Sequence, residues 1–234
     1  MIYVTSDIHG NFQRYKVLLD TIKLGDSDAL IILGDLVDRG SQSTEIILDL
    51  MNHDNIFPIL GNHDQCALAC LKVLSAEVTD ENIADFEENQ MEMMTEWLYN
   101  LGGNATLESF KKCSKAEQNS ILDFLEDLPL SEEFTIKGQK YLLVHAGLEN
   151  FSPEKALEDY QDDEILWART DYSKQYFEDI ILVTGHTPTI FIKDNPRPNY
   201  IYQGNNHIAL DCGCGFEGGR LGCICLNTME EFYV

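Results

Sequence analysis

Four of the six histidines in this chain stand in short turns that also carry Asp, Asn or Gly, and each turn directly follows an apolar run. The turns are Ser6-Asp7-Ile8-His9-Gly10-Asn11, Gly34-Asp35-Leu36-Val37-Asp38-Arg39-Gly40, Gly61-Asn62-His63-Asp64, Val144-His145-Ala146-Gly147 and Thr184-Gly185-His186-Thr187-Pro188. Carboxylate, imidazole and carboxamide donors together suit Mn, Fe or Zn better than Ca, which prefers an all-oxygen shell. A carboxylate can bridge two cations, and Asp35 is placed to do so. Two ions roughly 3.5–4 Å apart lower the pKa of a shared water and neutralise phosphate oxygens. Any one of these turns alone is an ordinary capped turn; five in order at strand ends are not.

The turns can cooperate only if the elements before them bring them to one edge. Apolar runs with strand character are Ile2–Thr5, Ala29–Leu33, Ile56–Ile59, Glu133–Ile136, Lys140–Val144, Ile180–Thr184, Tyr200–Tyr202, His207–Asp211, Gly222–Leu226 and Glu231–Tyr233. Helical periodicity marks Phe12–Ile22, Thr44–Met51 and Gln65–Leu74. The β-loop-α unit therefore occurs three times early in the chain, which predicts parallel pairing, and a strand-rich second half predicts a sandwiched sheet core flanked by helices. Ligands collect outside the carboxyl ends of parallel strands, so the five turns should converge there. Between about residues 76 and 128 the pattern changes. The stretch Val78–Glu88 is acidic, then Met91, Met94, Leu98 and Leu101 recur at helical spacing until Gly102-Gly103. This predicts a helical insertion within a single domain spanning 1–234. Its apolar stripe reads as core packing, with a cap over the site as the alternative.

The ordered blocks SDIHG, GDLVDRG, GNHD, VHAG and GHTP resemble the metal-dependent phosphoesterases of the serine/threonine phosphoprotein phosphatase type, particularly their compact bacterial and phage members. The resemblance covers about Ile2 to Thr189, and GDLVDRG followed by GNHD is its specific part. It implies an α/β fold of the calcineurin-like phosphoesterase kind: a central β-sandwich flanked by helices in four layers, α/β/β/α. It further implies that Asp7 and His9 bind one divalent ion, that Asp35 bridges, and that Asn62, His145 and His186 complete the second ion's shell. Manganese is the expected metal, with iron or zinc as alternatives. His63 would be the general acid, polarised by Asp38; Arg39 and Asn62 would contact the phosphate. Ile165-Leu166-Trp167-Ala168-Arg169 resembles the segment where phage-type members carry a second phosphate-binding arginine, here Arg169. The implied mechanism is direct in-line attack on phosphorus by a metal-bridging hydroxide, without a phosphoenzyme. The resemblance assigns no cysteine a nucleophilic role. Ser6, Asp64 and Ala146 depart from the residues common in the eukaryotic enzymes, at positions not expected to bind metal.

Charge and cysteine content narrow the partners. Forty acidic against sixteen basic residues give a net charge of −24, a field that repels nucleic-acid backbones and anionic membranes. With no basic leader and no apolar run of membrane length, the sequence predicts a soluble cytoplasmic protein. Seven cysteines make a disulfide framework improbable in such a chain. The pairs Cys212/Cys214 and Cys223/Cys225 could face one side of adjacent strands and hold a metal, but read better as small buried hydrophobes. The partner is thus a phosphorylated protein or small phosphoester. Phosphomonoesters, phosphoserine or phosphothreonine in proteins above all, are the leading substrates. Symmetrical diadenosine tetraphosphate or a related nucleotide is the alternative; its hydrolases often carry Ala in the place of Asp38.

Overall fold

The computed structural model describes residues 1–76, 88–193 and 195–234. In the first sheet, β1 (Ile2–Thr5), β2 (Ala29–Ile32) and β3 (Ile56–Pro58) run parallel, and β9 (Gly222–Cys225) and β10 (Glu230–Tyr233) continue it antiparallel beyond β1. In the second, the parallel strands β5 (Gln139–Val144), β6 (Ile180–Thr184) and β8 (His207–Ala209) lie between antiparallel edge strands β4 (Ser131–Ile136) and β7 (Tyr202–Gly204).

Strand alternation decides where each side chain goes. Val4, Ile31 and Leu33 of the first sheet meet Tyr141, Leu143, Val183 and Ile208 of the second in a buried inter-sheet core. Their neighbours Tyr3, Leu30 and Ile32 point outward, against helices α1 (Phe12–Ile22), α2 (Ser43–Leu50) and α3 (Asn62–Ser75). On the far face of the second sheet, Leu142, Val144 and Leu182 are covered by Leu148, Tyr160 and Ile165. The layers are α/β/β/α, as the motif pattern implies.

The acidic stretch Val78–Glu88 lies outside the described residues, Glu88 excepted. From there α4 (Glu88–Glu96) passes through one π-helical turn, Trp97–Leu101, into α5 (Gly103–Phe110) and α6 (Lys115–Glu126). Trp97, Phe110, Ile121 and Leu125 are buried in the same apolar cluster as Tyr15, Leu18, Ile46 and Leu71, so these helices are built into the core. A capping box nucleates α6: Ser114 accepts from Glu117 N, and Glu117 accepts from Ser114 N.

Three local differences from the sequence reading have simple causes. Helix α3 starts at Asn62 rather than Gln65, because the Asp64 carboxylate accepts the Gly61 N–H at 3.0 Å and makes the GNHD turn the helix's own first turn. The strand expected at Tyr200–Tyr202 lies at Tyr202–Gly204, since Tyr200 N closes a turn on Arg197 O. The two cysteine pairs do not converge. Cys212 and Cys214 flank Gly213 at φ 81°, off any strand, so Cys212 enters the inter-sheet core while Cys214, Cys223 and Cys225 enter the helix-side core. All seven thiols are free, and among the described residues none belongs to a group that could hold a metal.

Candidate metal centre

Each turn of interest hangs from the carboxyl end of a parallel strand: Asp7 and His9 after β1, Asp35 after β2, Asn62 and His63 after β3, His145 after β5 and His186 after β6. Their backbones are unusual. Asp7, His9, Asp35, Asp38, Arg39 and His186 all have φ between 48° and 70°, the left-handed region that few non-glycine residues occupy. Such conformations cost of order 1–3 kcal/mol each and persist where the surroundings over-determine them. Here the surroundings are adjacent turns. Asp7 N donates to Gly34 O, His9 N to Asp35 O and Gly40 N to His9 O, so the first two turns are hydrogen-bonded edge to edge. Close approach also excludes side chains. A Cβ on Gly61 would collide with Asp35, and one on Gly185 with the Asp7 carboxylate.

The donor atoms converge in two overlapping groups. Ligand atoms of Asp35, His145 and His186 lie within 4.8 Å of one another, as do those of His9, Asp35 and His63. Asp35 belongs to both. His145 Nε2 is 3.4 Å from Asp35 Oδ1, and His9 Nε2 is 3.5 Å from Oδ2. Asn62 Oδ1 lies 2.8 Å from His145 Nε2 and 2.9 Å from His186 Nδ1. Asp7 stands beside these groups; its carboxylate accepts the His186 N–H at 3.1 Å.

The chemistry of these donors fits divalent cations. His145 Nδ1 donates to Leu33 O at 2.6 Å, and His9 Nδ1 to Val37 O at 2.9 Å, which turns each Nε2 inward as the acceptor nitrogen. The His145 lone pair meets the Asn62 carbonyl oxygen, two acceptors with no proton between them. The carboxylates need positive charge as well. Burial, then the neighbouring Asp35 charge, pushes Asp7 up to about 6, and burial with the Asp7 charge raises Asp211 well above the usual range. Asp35 itself is held below the ordinary value: burial would raise it, but His145 and His63 outweigh that. Among the described residues, Arg39 is the cation within reach, its Nη1 2.6 Å from His9 Nε2.

His63 occupies the other side of Asp35. Its Nδ1 donates to Asp38 Oδ2 at 2.8 Å, its N–H donates to Asp35 Oδ1 at 3.0 Å, and its Nε2 is 3.2 Å from Arg39 Nη2. Burial opposes its protonation, but the carboxylates of Asp35 and Asp38 prevail and raise its pKa above the ordinary histidine value. Asp38 is in turn gripped from the helical insertion. Trp97 Nε1 donates to both carboxylate oxygens at 3.0 and 3.1 Å, and Thr106 Oγ1 donates to Oδ1 at 2.7 Å. Arg169 is exposed in the segment after α7 (Asp162–Leu166). It makes no hydrogen bond or ion pair with the described residues, yet it is near enough for its charge to help depress His186.

The structure therefore gathers Asp7, His9, Asp35, Asp38, Arg39, Asn62, His63, His145 and His186 at one edge, with Arg169 at its rim. Sequence reasoning missed the residues that brace them. Asp64 accepts from Leu36 N, Val37 N and Gly61 N; Asp211 lies buried beside Asp7; Trp97 and Thr106 hold Asp38. The signal available for Trp97 was a tryptophan within the Met91–Leu101 stripe, with a polar N–H needing a buried acceptor.

The chain is similar to proteins that are already known. The chain is 26% identical to an asymmetrical bis(5'-nucleosyl)-tetraphosphatase, PrpE, of Anoxybacillus flavithermus, over 100% of this chain and 94% of that protein. It is 28% identical to serine/threonine-protein phosphatase 2 of Salmonella typhimurium, over 77% of this chain and 66% of the relative. Against the symmetrical bis(5'-nucleosyl)-tetraphosphatase of Paracidovorax citrulli, also 28% identical, it spans 63% of this chain but only 44% of the relative's length. A crystal structure described as a candidate diadenosine tetraphosphatase superposes with a TM-score of 0.67 over 100% of this chain and 92% of that one; at 20% identity this likeness speaks for the fold alone. Residues 1–216, which include all five turns, match the calcineurin-like phosphoesterase family, and the chain belongs to that family of metallophosphoesterases.

Proposed function

We propose that this chain hydrolyses phosphomonoesters, with phosphoserine and phosphothreonine in proteins as the leading substrates. Asp7, His9 and Asp35 would hold one divalent ion, and Asp35, Asn62, His145 and His186 a second, manganese being the expected metal. The observation that carries the reading is the Asp38–His63 pair set against the Asp35 cluster: a buried carboxylate fixing one ring nitrogen while the other faces the donor groups. When bound, divalent ions acidify a water and neutralise phosphate oxygens.

The chain's own residues do the rest. Arg39 and Arg169 bind phosphoryl oxygens, Arg39 through its planar fork, and Asn62 orients them at the same edge. His63 delivers its Nε2 proton to the departing alkoxide oxygen, so the leaving group exits as an alcohol. Asp38 keeps the Nδ1–H tautomer and offsets the charge of the imidazolium before the transfer. Trp97 and Thr106 hold Asp38 still, and the buried setting strengthens both bonds.

A second reading is favoured by the end-to-end match with the asymmetrical bis(5'-nucleosyl)-tetraphosphatase: cleavage of a dinucleoside polyphosphate at the same centre. The test is the ratio of kcat/KM for a phosphoseryl peptide and for diadenosine tetraphosphate with manganese-loaded protein. A ratio above one supports the phosphoprotein reading. A ratio well below one replaces it by the nucleotide reading and leaves the metal centre in place.

A further inference from the structure

Beside the centre lies a cleft of about 220 Å³ bordered by Pro188, Ile190, Phe191, Asn199, Phe216 and Glu217. Its apolar lining faces solvent: Ile190 is 49%, Phe191 75% and Phe216 50% exposed. Exposed apolar side chains gathered around one concavity with a polar rim mark a binding surface. One wall is the short helical turn Thr189–Phe191, which begins three residues beyond His186. The other is the loop between β8 and β9, where the Phe216 ring centroid lies 4.5 Å from the Arg39 guanidinium.

The walls are held in place by the chain itself. Asn195 Nδ2 donates to Thr189 O at 3.2 Å and to Tyr200 O at 3.1 Å, so one side chain ties the first wall to the turn that carries Asn199. Thr189 N donates to Asp211 O at 2.8 Å, Phe216 N to Gly213 O at 2.9 Å, and Arg14 Nη1 to Gly219 O at 2.9 Å. Gly215 lies so close to the centre that a Cβ there would sit 2.8 Å from Arg39 Cδ. A preformed cleft of this kind loses little conformational freedom when it is filled.

We infer that this cleft selects the sequence around the phosphorylated residue: it receives one large apolar side chain, aliphatic or aromatic, from within two residues of the phosphoserine or phosphothreonine. The inference rests on the phosphoprotein reading above and gives that substrate class a sequence preference. Position argues for it first. The Phe216 wall touches the guanidinium assigned to the phosphate, and an extended peptide advances about 3.3 Å per residue, so a near neighbour of the phosphorylated residue reaches the cleft. Size argues next. The cleft is smaller than the roughly 300 Å³ at which pockets begin to enclose a whole drug-sized ligand, so it takes one side chain of a longer molecule. Charge completes the case. Glu217 is exposed at the rim and pairs with no cation among the described residues, so it favours a basic residue beside the apolar one and disfavours an acidic one. Apolar burial also supplies attraction that the −24 field does not weaken, which a phosphorylated substrate of this chain needs.

The experiment uses manganese-loaded full-length protein and a set of phosphoseryl peptides on an alanine background. Phe is placed in turn at the second and first positions before the phosphoserine and the first and second after it. At one of the four positions Phe should raise kcat/KM about tenfold or more over the all-alanine peptide, the discrimination an apolar pocket gives. The ratio should stay within about twofold between 0.05 and 0.3 M salt, because apolar burial is not screened. Phe191→Ala should bring the ratio close to one, and Phe191→Leu should keep most of it. Equal rates for all the peptides, or a preference that survives Phe191→Ala, overturn the cleft's role and leave the phosphoprotein reading standing. A Phe191→Ala protein that slows on diadenosine tetraphosphate while its peptide ratio is unmoved also overturns it, since the occupant is then a base. If p-nitrophenyl phosphate is hydrolysed and none of the peptides is, the phosphoprotein reading falls and the peptide preference falls with it.

Discussion

His63 sits where burial and charge oppose each other, and the charges of Asp35 and Asp38 win. A group so placed acts on a proton without being needed to hold a cation. His63→Asn should therefore lower kcat by about 10²–10⁴, the usual range for a lost general acid, with metal content by elemental analysis nearly intact. A variant that loses its metals along with its turnover would reassign His63 as a ligand, a role its place in the His9–Asp35 group makes worth measuring. At this scale the sequence was legible wherever chemistry showed in residue type. An Asp, Asn or His just past an apolar run announces itself. It was illegible where a residue acts only through another: Asp64 caps backbone N–H groups from a neighbouring turn, and Asp211 matters because it is buried beside Asp7.

Among the elements, the helical insertion contributes most beyond expectation. Its tryptophan and threonine supply three of the hydrogen bonds on Asp38. Thr106→Val leaves a buried carboxylate oxygen with a lost donor and should cost about 1–3 kcal/mol in urea unfolding, with kcat reduced more than KM is changed. Thr106→Ser should restore most of both. The turns themselves tolerate no added volume. Gly61→Ala forces its methyl into Asp35 and should destabilise by about 1–3 kcal/mol, with activity lost in the fraction that still folds. Strands and early helices were readable because alternation and 3.6-residue periodicity each mark a buried face. The insertion's packing was not, because Met91, Met94, Leu98 and Leu101 outline an apolar stripe without saying what covers it, while the residue that reaches the centre is the adjacent Trp97.

Over the whole molecule, charge and buried histidines set the response to solvent. With a net charge of −24, long-range repulsion of anionic substrates should be relieved by salt. Activity between about 0.05 and 0.3 M salt is thus expected to hold or rise, and a steep fall would reveal an attractive basic surface. His207 is buried between Tyr172 and Tyr176, its Nε2 2.8 Å from Thr184 Oγ1, and burial alone lowers its pKa to about 3. Below about pH 6.5 the unfolded chain binds a proton that the folded chain refuses. Stability should then fall by up to about 1.4 kcal/mol per pH unit, the loss ending near the folded value. Urea midpoints at pH 7, 5.5 and 4.5 should decline less steeply in His207→Phe. The left-handed backbone at Asp7, His9, Asp35, Asp38, Arg39 and His186 has a counterpart in Lys137, at φ 50° before Gly138 in the β4–β5 hairpin, far from the chemistry. There the natural turn residue is Asn, and Lys137→Asn should raise Tm without touching turnover. At the six functional positions no such improvement is open, because the residue that relaxes the backbone is not the residue that does the work. Directed evolution of this protein for heat tolerance should accordingly accumulate its gains in the hairpins and leave the catalytic edge as the last part to harden.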